Sequence, residues 1–141
     1  MSYLISAATS DDFSWLVKRS HCGITSDFVA IKAVDSKGEI VGMVGYCHFT
    51  PNAVEVHVAA EHPAAWKLLL PWGFRYPFNQ LGKGVMLAPI AGHNPRAIRF
   101  ARKLGFTEVH RIKDGWDKGA DIVLFELRRE NCVWVNEKRA A

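Results

Sequence analysis

The first half of the chain carries three apolar runs that predict three consecutive strands. They span residues 27–34, 39–49 and 53–59, and in the last run Val54, Val56 and Val58 alternate with polar or small residues. Turn-forming residues separate the runs, at 35–38 and at 50–52. The pattern therefore predicts an antiparallel meander.

Two segments with helical spacing flank this meander. Residues 10–18 predict a short helix capped by Ser10 or Asp11. Residues 63–78 are apolar on nearly every side, which predicts a buried helix. We expect Pro71 to kink or split that helix and Pro77 to end it.

The second half begins with an apolar strand at 85–90, followed by a well-delimited helix. Asn94 is a good N-cap, Pro95 suits the first helical position, and Gly105 suits the left-handed residue at the end. Two further strands are predicted at 107–112 and 121–127. Pro89 fits the strand at 85–90 only near the strand end or on an unpaired edge.

This order of elements predicts an α+β fold. We expect a mixed, mostly antiparallel sheet of about six strands, flanked by helices, in one domain over residues 1–141. The length and the hydrophobic fraction of 49% suit such a domain. No run approaches the ~20 apolar residues of a membrane span, and the start does not resemble a signal peptide, so we expect no membrane partner and a cytoplasmic protein.

The cysteines and the net charge do not point to one particular function. Three cysteines at unrelated spacings predict neither a disulfide framework nor a zinc site, and we expect no metal. The formal net charge is +4. Basic residues cluster over 96–103 and at Arg128, Arg129, Lys138 and Arg139. Such a cluster suits a solvated face, nucleic acid, an acidic partner or the phosphates of a cofactor.

The helix after the fourth strand carries a family resemblance. Its sequence N-P-R-A-I-R-F-A-R-K-L-G-F resembles the last motif of the GNAT N-acetyltransferases, N-x-x-A-x-x-L-Y-x-K-x-G-F. The matching residues are Asn94, Ala97, Lys103, Gly105 and Phe106, with Phe100 at the leucine position. The stretches H-P-A-A-W and W-G-F-R-Y-P-F look like the compact members found in phages and prophages.

The resemblance implies acetyl-CoA as the cofactor and a primary amine, on a small molecule or a protein, as the acceptor. It implies that the end of the third strand bonds pantetheine and polarises the thioester, and that the next helix start receives the pyrophosphate. Asn94 would lie beside the pantetheine. The implied cofactor residues are Val58, Ala59, Ala60, His62, Ala64, Ala65, Trp66, Lys67, Asn94 and Ala97.

The sequence departs from the family pattern at two places. The cofactor loop of the family reads Q/R-x-x-G-x-G/A, whereas residues 61–67 here contain no glycine. The family's tyrosine, which commonly protonates the departing thiolate, corresponds to Ala101. A thiol with a pKa near ~8.5 can still depart as a thiolate.

Glu55 and His57 are the candidates for the catalytic base. They share the face of the third strand opposite the valines, and a carboxylate on this strand commonly deprotonates the amine in the family. The competing interpretation is a structural role, either as a cross-strand polar pair or as a hydrogen-bonded buried histidine. His48, His93 and the aromatic residues of segment 63–78 could flank the acceptor, although capping or core roles suit them better.

Three functions follow from these observations. The favoured one is an acetyl-CoA-dependent N-acetyltransferase that transfers the acetyl group directly in a ternary complex, in a chain that could form a homodimer. The alternative is a non-catalytic, phage-derived module with the GNAT scaffold. The least favoured is a nucleic-acid-binding protein that uses the basic face of the Asn94 helix.

Overall fold

A computed structural model describes residues 2–136, and within them seven strands form a single sheet. The strands are β1 (Leu4–Ala7), β2 (Val29–Val34), β3 (Ile40–Cys47), β4 (Ala53–Ala60), β5 (Val85–Ala91), β6 (Thr107–Asp117) and β7 (Ala120–Arg128). The helices are α1 (Phe13–Ser20), α2 (Pro63–Arg75) and α3 (Pro95–Lys103). The strand order is β1-β2-β3-β4-β5-β7-β6.

The sheet is mixed and mostly antiparallel, as predicted. Strands β2, β3 and β4 form the expected meander, and β4–β5 is the parallel pair among neighbours that otherwise run antiparallel. Both faces of the sheet are covered. Helix α2 packs on the face of Val44 and Tyr46, whereas α1 packs on the face of Met43 and Cys47.

Two glycines let both helices approach β3 closely. A Cβ added at Gly42 would lie 2.5 Å from Leu69 Cδ1 of α2. A Cβ added at Gly45 would collide with the Phe28 ring and would lie 2.7 Å from Leu16 Cδ2. The glycines therefore act as close-packing positions in the sheet centre.

Several predictions about the helices need correction. Pro71 lies inside α2 and does not split it. The α-helix ends at Arg75, two residues before Pro77, and the chain continues in a π-helical turn, Tyr76–Gln80, that contains Pro77. The helical segment at the N-terminus begins with a 3₁₀ turn whose capping residue is Thr9, not Ser10 or Asp11. The Thr9 N–H donates to Asp12 Oδ2 at 2.9 Å.

The strands differ from the prediction at the two ends of the sheet. Strand β1 was not predicted, because it has four residues and Leu4 is largely exposed. Strand β6 continues to Asp117, five residues past its predicted end, because the β6–β7 hairpin turns at Lys118 and Gly119. Lys138 and Arg139 of the basic tail lie outside the described residues. No helix among the described residues is long and apolar enough to cross a bilayer.

Replacing Gly45 with alanine should destabilise the fold by about 1–3 kcal/mol, because the new methyl group overpacks a buried contact. Gly23→Ala is the matched control, since a Cβ there would meet nothing within 4 Å. Chemical denaturation of both variants measures the difference. Equal stability of the two variants would contradict the packing described for β3.

Candidate active site

A cavity of about 1150 Å³ opens where β4 and β5 stop pairing. The two strands pair at Ala53–Val85, Val54–Met86 and Glu55–Leu87, and the pairing ends there. The cavity is lined by residues of both strands, together with residues of helices α2 and α3 and of the end of α1. The diverging strands thus leave two backbone edges facing one space.

The β4 edge of this space can be assigned from its pairing with β3. The Glu61 N–H donates to Val41 O at 2.9 Å, so Glu61 directs its backbone to β3. Because backbone groups alternate in direction along a strand, Ala59 also points to β3, whereas Val58 and Ala60 point into the cavity. Two of the three predicted pantetheine-binding residues of β4 therefore present backbone groups to the cavity.

The β5 edge carries Pro89. Gly92 donates its N–H to Asp121 O at 2.8 Å, and Gly84 O accepts from the Arg129 N–H at 3.0 Å. Even-numbered residues of β5 thus bond β7, and the nitrogen of Pro89 faces the cavity. The expectation of an unpaired edge at Pro89 is confirmed, since no ladder hydrogen bond to β7 is lost there.

Glu55 and His57 form a hydrogen-bonded pair beside the cavity. Glu55 Oε2 lies 2.7 Å from His57 Nε2. His57 lines the cavity, with 12% of its side chain exposed, while Glu55 lies behind it. An Nε2–H donated to the carboxylate leaves Nδ1 as the nitrogen that can accept a proton.

The carboxylate of Glu55 stays ionised because of its partners. Burial on its own would raise the pKa of Glu55, but hydrogen bonds from His57 and Cys47 and the nearby histidines lower that pKa to about 2. The His57 ring therefore lies against a permanent negative charge near neutral pH.

Two more side chains contact the same carboxylate oxygen. The Cys47 thiol donates to Glu55 Oε2 at 3.2 Å, and His48 Nδ1 lies 3.2 Å from that atom. Burial, together with the hydrogen bond to Glu55, raises the pKa of the Cys47 thiol, so it is not an activated nucleophile. His48 is at the solvent-exposed end of this cluster.

The start of α2 differs from a glycine-rich phosphate loop. His62 is the N-cap in an extended conformation, and its carbonyl accepts from the Ala65 and Trp66 amides at 3.1 and 3.3 Å. Pro63 has no N–H, so the Ala64 amide is the group of this turn that can serve a ligand. The His62 ring stacks on Tyr3, and its centroid lies 6.4 Å from that ring.

The other predicted cofactor residues divide between the cavity and the surface. Trp66 lines the cavity and contacts Phe100 of α3, with ring centroids 4.6 Å apart. Asn94 and Ala97 also line it, and Asn94 Oδ1 caps α3 by accepting the Ala97 N–H at 3.2 Å. By contrast, the Lys67 side chain is exposed and does not line the cavity.

Cations line the cavity mouth, including one that sequence reasoning missed. Arg96, Arg99 and Lys103 come from the basic face of α3. Arg19 comes from the end of α1, where it bonds Glu61 at 2.6 Å and stacks on Trp15. No sequence signal pointed to Arg19, because this residue lies far along the chain from the other lining residues. Trp116 of β6 was also missed, because it lies in the part of β6 that continues past the predicted strand end.

Ala101 also lines the cavity, at the position of the family's tyrosine, and is 5% exposed. Among the described residues that line the cavity there is no tyrosine. No tyrosine of that described lining therefore replaces the one that the GNAT pattern has at position 101.

Comparison with known proteins supports the architecture. No family model matches the chain, and no curated protein matches it by sequence. Solved structures do match, among them the spermidine N-acetyltransferase of Vibrio cholerae in complex with CoA and spermine, at 12% identity and a TM-score of 0.75. That alignment covers 95% of this chain and 98% of the other.

A dodecameric structure of the same Vibrio cholerae enzyme gives a TM-score of 0.73 at 12% identity, with 96% and 97% of the two chains covered. Likeness at this identity establishes the fold and not the activity. The chain has the fold of the GNAT acetyltransferases.

Proposed function

We propose that this protein is an acetyl-CoA-dependent N-acetyltransferase that acts on a primary amine. The main support is that the open backbone edge of β4 and the His57–Glu55 pair lie at one cavity. The cavity-facing backbone of Val58 and Ala60 begins one residue from His57, which is itself paired with Glu55. An amide donor and a histidine base side by side suit acyl transfer.

The residues of the cavity fit acetyl-CoA in chemical character. A pantetheine arm can bond like an added strand to the backbone edge left open on β4. The Ala64 amide, Arg19 and the cations of α3 can bind phosphates. Asn94 can donate its side-chain N–H₂ to the arm, because its Oδ1 is used by the cap.

Bound acetyl-CoA supplies an acetyl thioester. The Val58 N–H faces the cavity and would donate to the thioester carbonyl oxygen, on which negative charge develops. His57 Nδ1 takes a proton from the amine, and Glu55 stabilises the resulting imidazolium. The amine nitrogen forms a bond to the acetyl carbon as the carbon–sulfur bond breaks. The sulfur leaves as a thiolate, which requires no tyrosine at position 101.

The acceptor is a primary amine on a small molecule or a protein. Among the described residues, the cavity is lined by four cations, which the cofactor phosphates can neutralise, and by one carboxylate, Glu61, which already pairs with Arg19. Because that lining offers no free carboxylate, it does not favour a polycation such as the spermidine of the Vibrio cholerae enzyme. Near the proposed base, Glu55 is the carboxylate available to attract an ammonium group.

The basic face of α3 fits this function better than nucleic-acid binding. Arg96, Arg99 and Lys103 line a concave space together with Arg19, so their charge converges on one site. A convergent set of cations suits the phosphates of a small cofactor, whereas a nucleic-acid surface spreads its charge over a wider face.

A non-catalytic protein with the same scaffold is the second candidate. Ala101 and the glycine-free start of α2 favour it, since both remove features that the catalytic members use. The phage origin of this protein stays a prediction, and so do its cytoplasmic location and its homodimeric state.

A surface suited to a homodimer is the edge strand β6, which exposes Val109, Ile112 and Trp116.

Acetyl-CoA should bind the purified protein in calorimetry, and Arg99→Gln should weaken that binding by about tenfold through the loss of a phosphate contact. The same substitution should leave the weaker binding of acetyl-pantetheine, which lacks the nucleotide phosphates, unchanged. Arg111→Gln is the control, because Arg111 pairs with Glu108 on β6 away from the cavity. Failure of wild-type protein to bind acetyl-CoA would leave the non-catalytic candidate standing.

Replacing His57 with glutamine should lower kcat by about 10²–10⁴-fold while changing acetyl-CoA affinity little, because the change removes a proton acceptor and not a binding group. Acetylation of a panel of primary amines, followed by release of free thiol, provides the assay. His110→Gln on exposed β6 is the matched control and should retain wild-type turnover. Turnover unchanged in both variants would reject His57 as the base.

A further inference from the structure

Three side chains with metal-binding atoms meet at the β3–β4 hairpin. Cys47 and Glu55 are directly opposite each other in the antiparallel register, and His48 follows Cys47 at the strand end. Their Sγ, Nδ1 and Oε2 atoms all lie within 4.8 Å of one another. Thiolate, imidazole and carboxylate are the three ligand types that zinc uses in proteins.

The separations of these atoms match the edges of a tetrahedral zinc site. Zinc bonds of about 2.3 Å to sulfur and about 2.0–2.1 Å to nitrogen or oxygen place ligand atoms about 3.3–3.6 Å apart at tetrahedral angles. Sγ of Cys47 lies 3.7 Å from Nδ1 of His48 and 3.2 Å from Oε2 of Glu55. Nδ1 of His48 lies 3.2 Å from the same oxygen. A metal ion can therefore bind with small side-chain shifts.

The backbone holds His48 in an uncommon conformation that serves this arrangement. His48 has φ of 51°, in the left-handed region, which costs energy for a residue with a side chain. The Asp27 carboxylate stabilises the bend by accepting the backbone N–H groups of His48 and Phe49, at 3.3 and 3.0 Å. Asp27 thereby positions the histidine over Cys47 and Glu55.

We propose that Cys47, His48 and Glu55 bind a divalent transition-metal ion of the zinc type. The sulfur ligand excludes Mg²⁺ and Ca²⁺, which take oxygen ligands. His48 is 62% exposed, so the ion has an entry path from solvent and its fourth position can hold water. Binding replaces the thiol proton of Cys47, and that proton is released to solvent.

His57 gives this site an outer partner. Its Nε2 lies 2.7 Å from Glu55 Oε2, the oxygen that faces Cys47 and His48. A hydrogen bond from a second residue orients a ligating carboxylate in many metal sites. An ion bound to Glu55 would also neutralise the negative charge that stabilises a protonated His57. Zinc should therefore inhibit acetyl transfer, a consequence that rests on the proposed function.

The test is titration of metal-free, reduced protein with Co²⁺ and competition of the bound Co²⁺ by Zn²⁺. We expect one equivalent of Co²⁺ to give a thiolate-to-cobalt charge-transfer band in the near ultraviolet, and Zn²⁺ to abolish it. Cys47→Ser should remove the band. His48→Asn, which tolerates the left-handed conformation, should weaken Zn²⁺ binding by about 100-fold or more.

Cys22→Ser is the matched control, because Cys22 is a buried thiol on the same face of the sheet that is not part of the cluster. It should keep both the band and the affinity. A missing band in folded wild-type protein, or a band that survives in Cys47→Ser, would overturn the proposal. The readout is metal binding itself, so it stands whether or not the protein acetylates an amine.

Discussion

The end of β4–β5 pairing after Glu55 and Leu87 is the constraint on which the site depends. Parallel neighbours normally continue their ladder, and a ladder that stops leaves backbone groups that need other partners. Here the unused edge of β4 faces the cavity, where it can bond a ligand, and that of β5 carries a proline with no N–H to satisfy. The cavity is thus built from the same backbone that elsewhere builds the sheet.

The two-residue period of β4 separates the residues whose backbone faces the cavity from those that carry the polar side chains Glu55 and His57. The even-numbered residues of this strand direct backbone groups away from β3, first to β5 and then to the cavity, and place valine side chains on the α2 side. Its odd-numbered residues direct backbone groups to β3 and place Glu55 and His57 on the α1 side. Glu55 then serves two neighbours, the histidine of the proposed acyl-transfer site and the thiol of the proposed metal site. One carboxylate links the two proposals.

Local patterns in the sequence predict the features that depend on neighbouring residues alone. The cap at Asn94 is present as expected, and the alternation along β4 correctly predicts that Glu55 and His57 share one face. Strand β1 escaped prediction because its signal is short. The sequence left open whether Pro71 kinks or splits α2, because the burial that keeps this helix continuous is a tertiary effect that local propensity does not contain.

The features that sequence reasoning missed at the site have a different cause. Arg19 reaches the cavity from α1, far away in the chain, and Trp116 reaches it from the part of β6 beyond the predicted strand end, so neither gave a local signal. The Cys47–His48–Glu55 cluster depends on the register of β3 against β4 and on the chain reversal between them. Residue spacing alone does not encode either property.

Backbone hydrogen exchange with and without acetyl-CoA tests whether the open edge of β4 binds the cofactor, because it reports on each amide of that edge separately. Saturating cofactor should slow exchange at the Val58 and Ala60 amides. The Ala59 amide, which points to β3, should keep its rate. Unchanged exchange at Val58 and Ala60 in protein saturated with acetyl-CoA would contradict the assignment of this edge as the cofactor site.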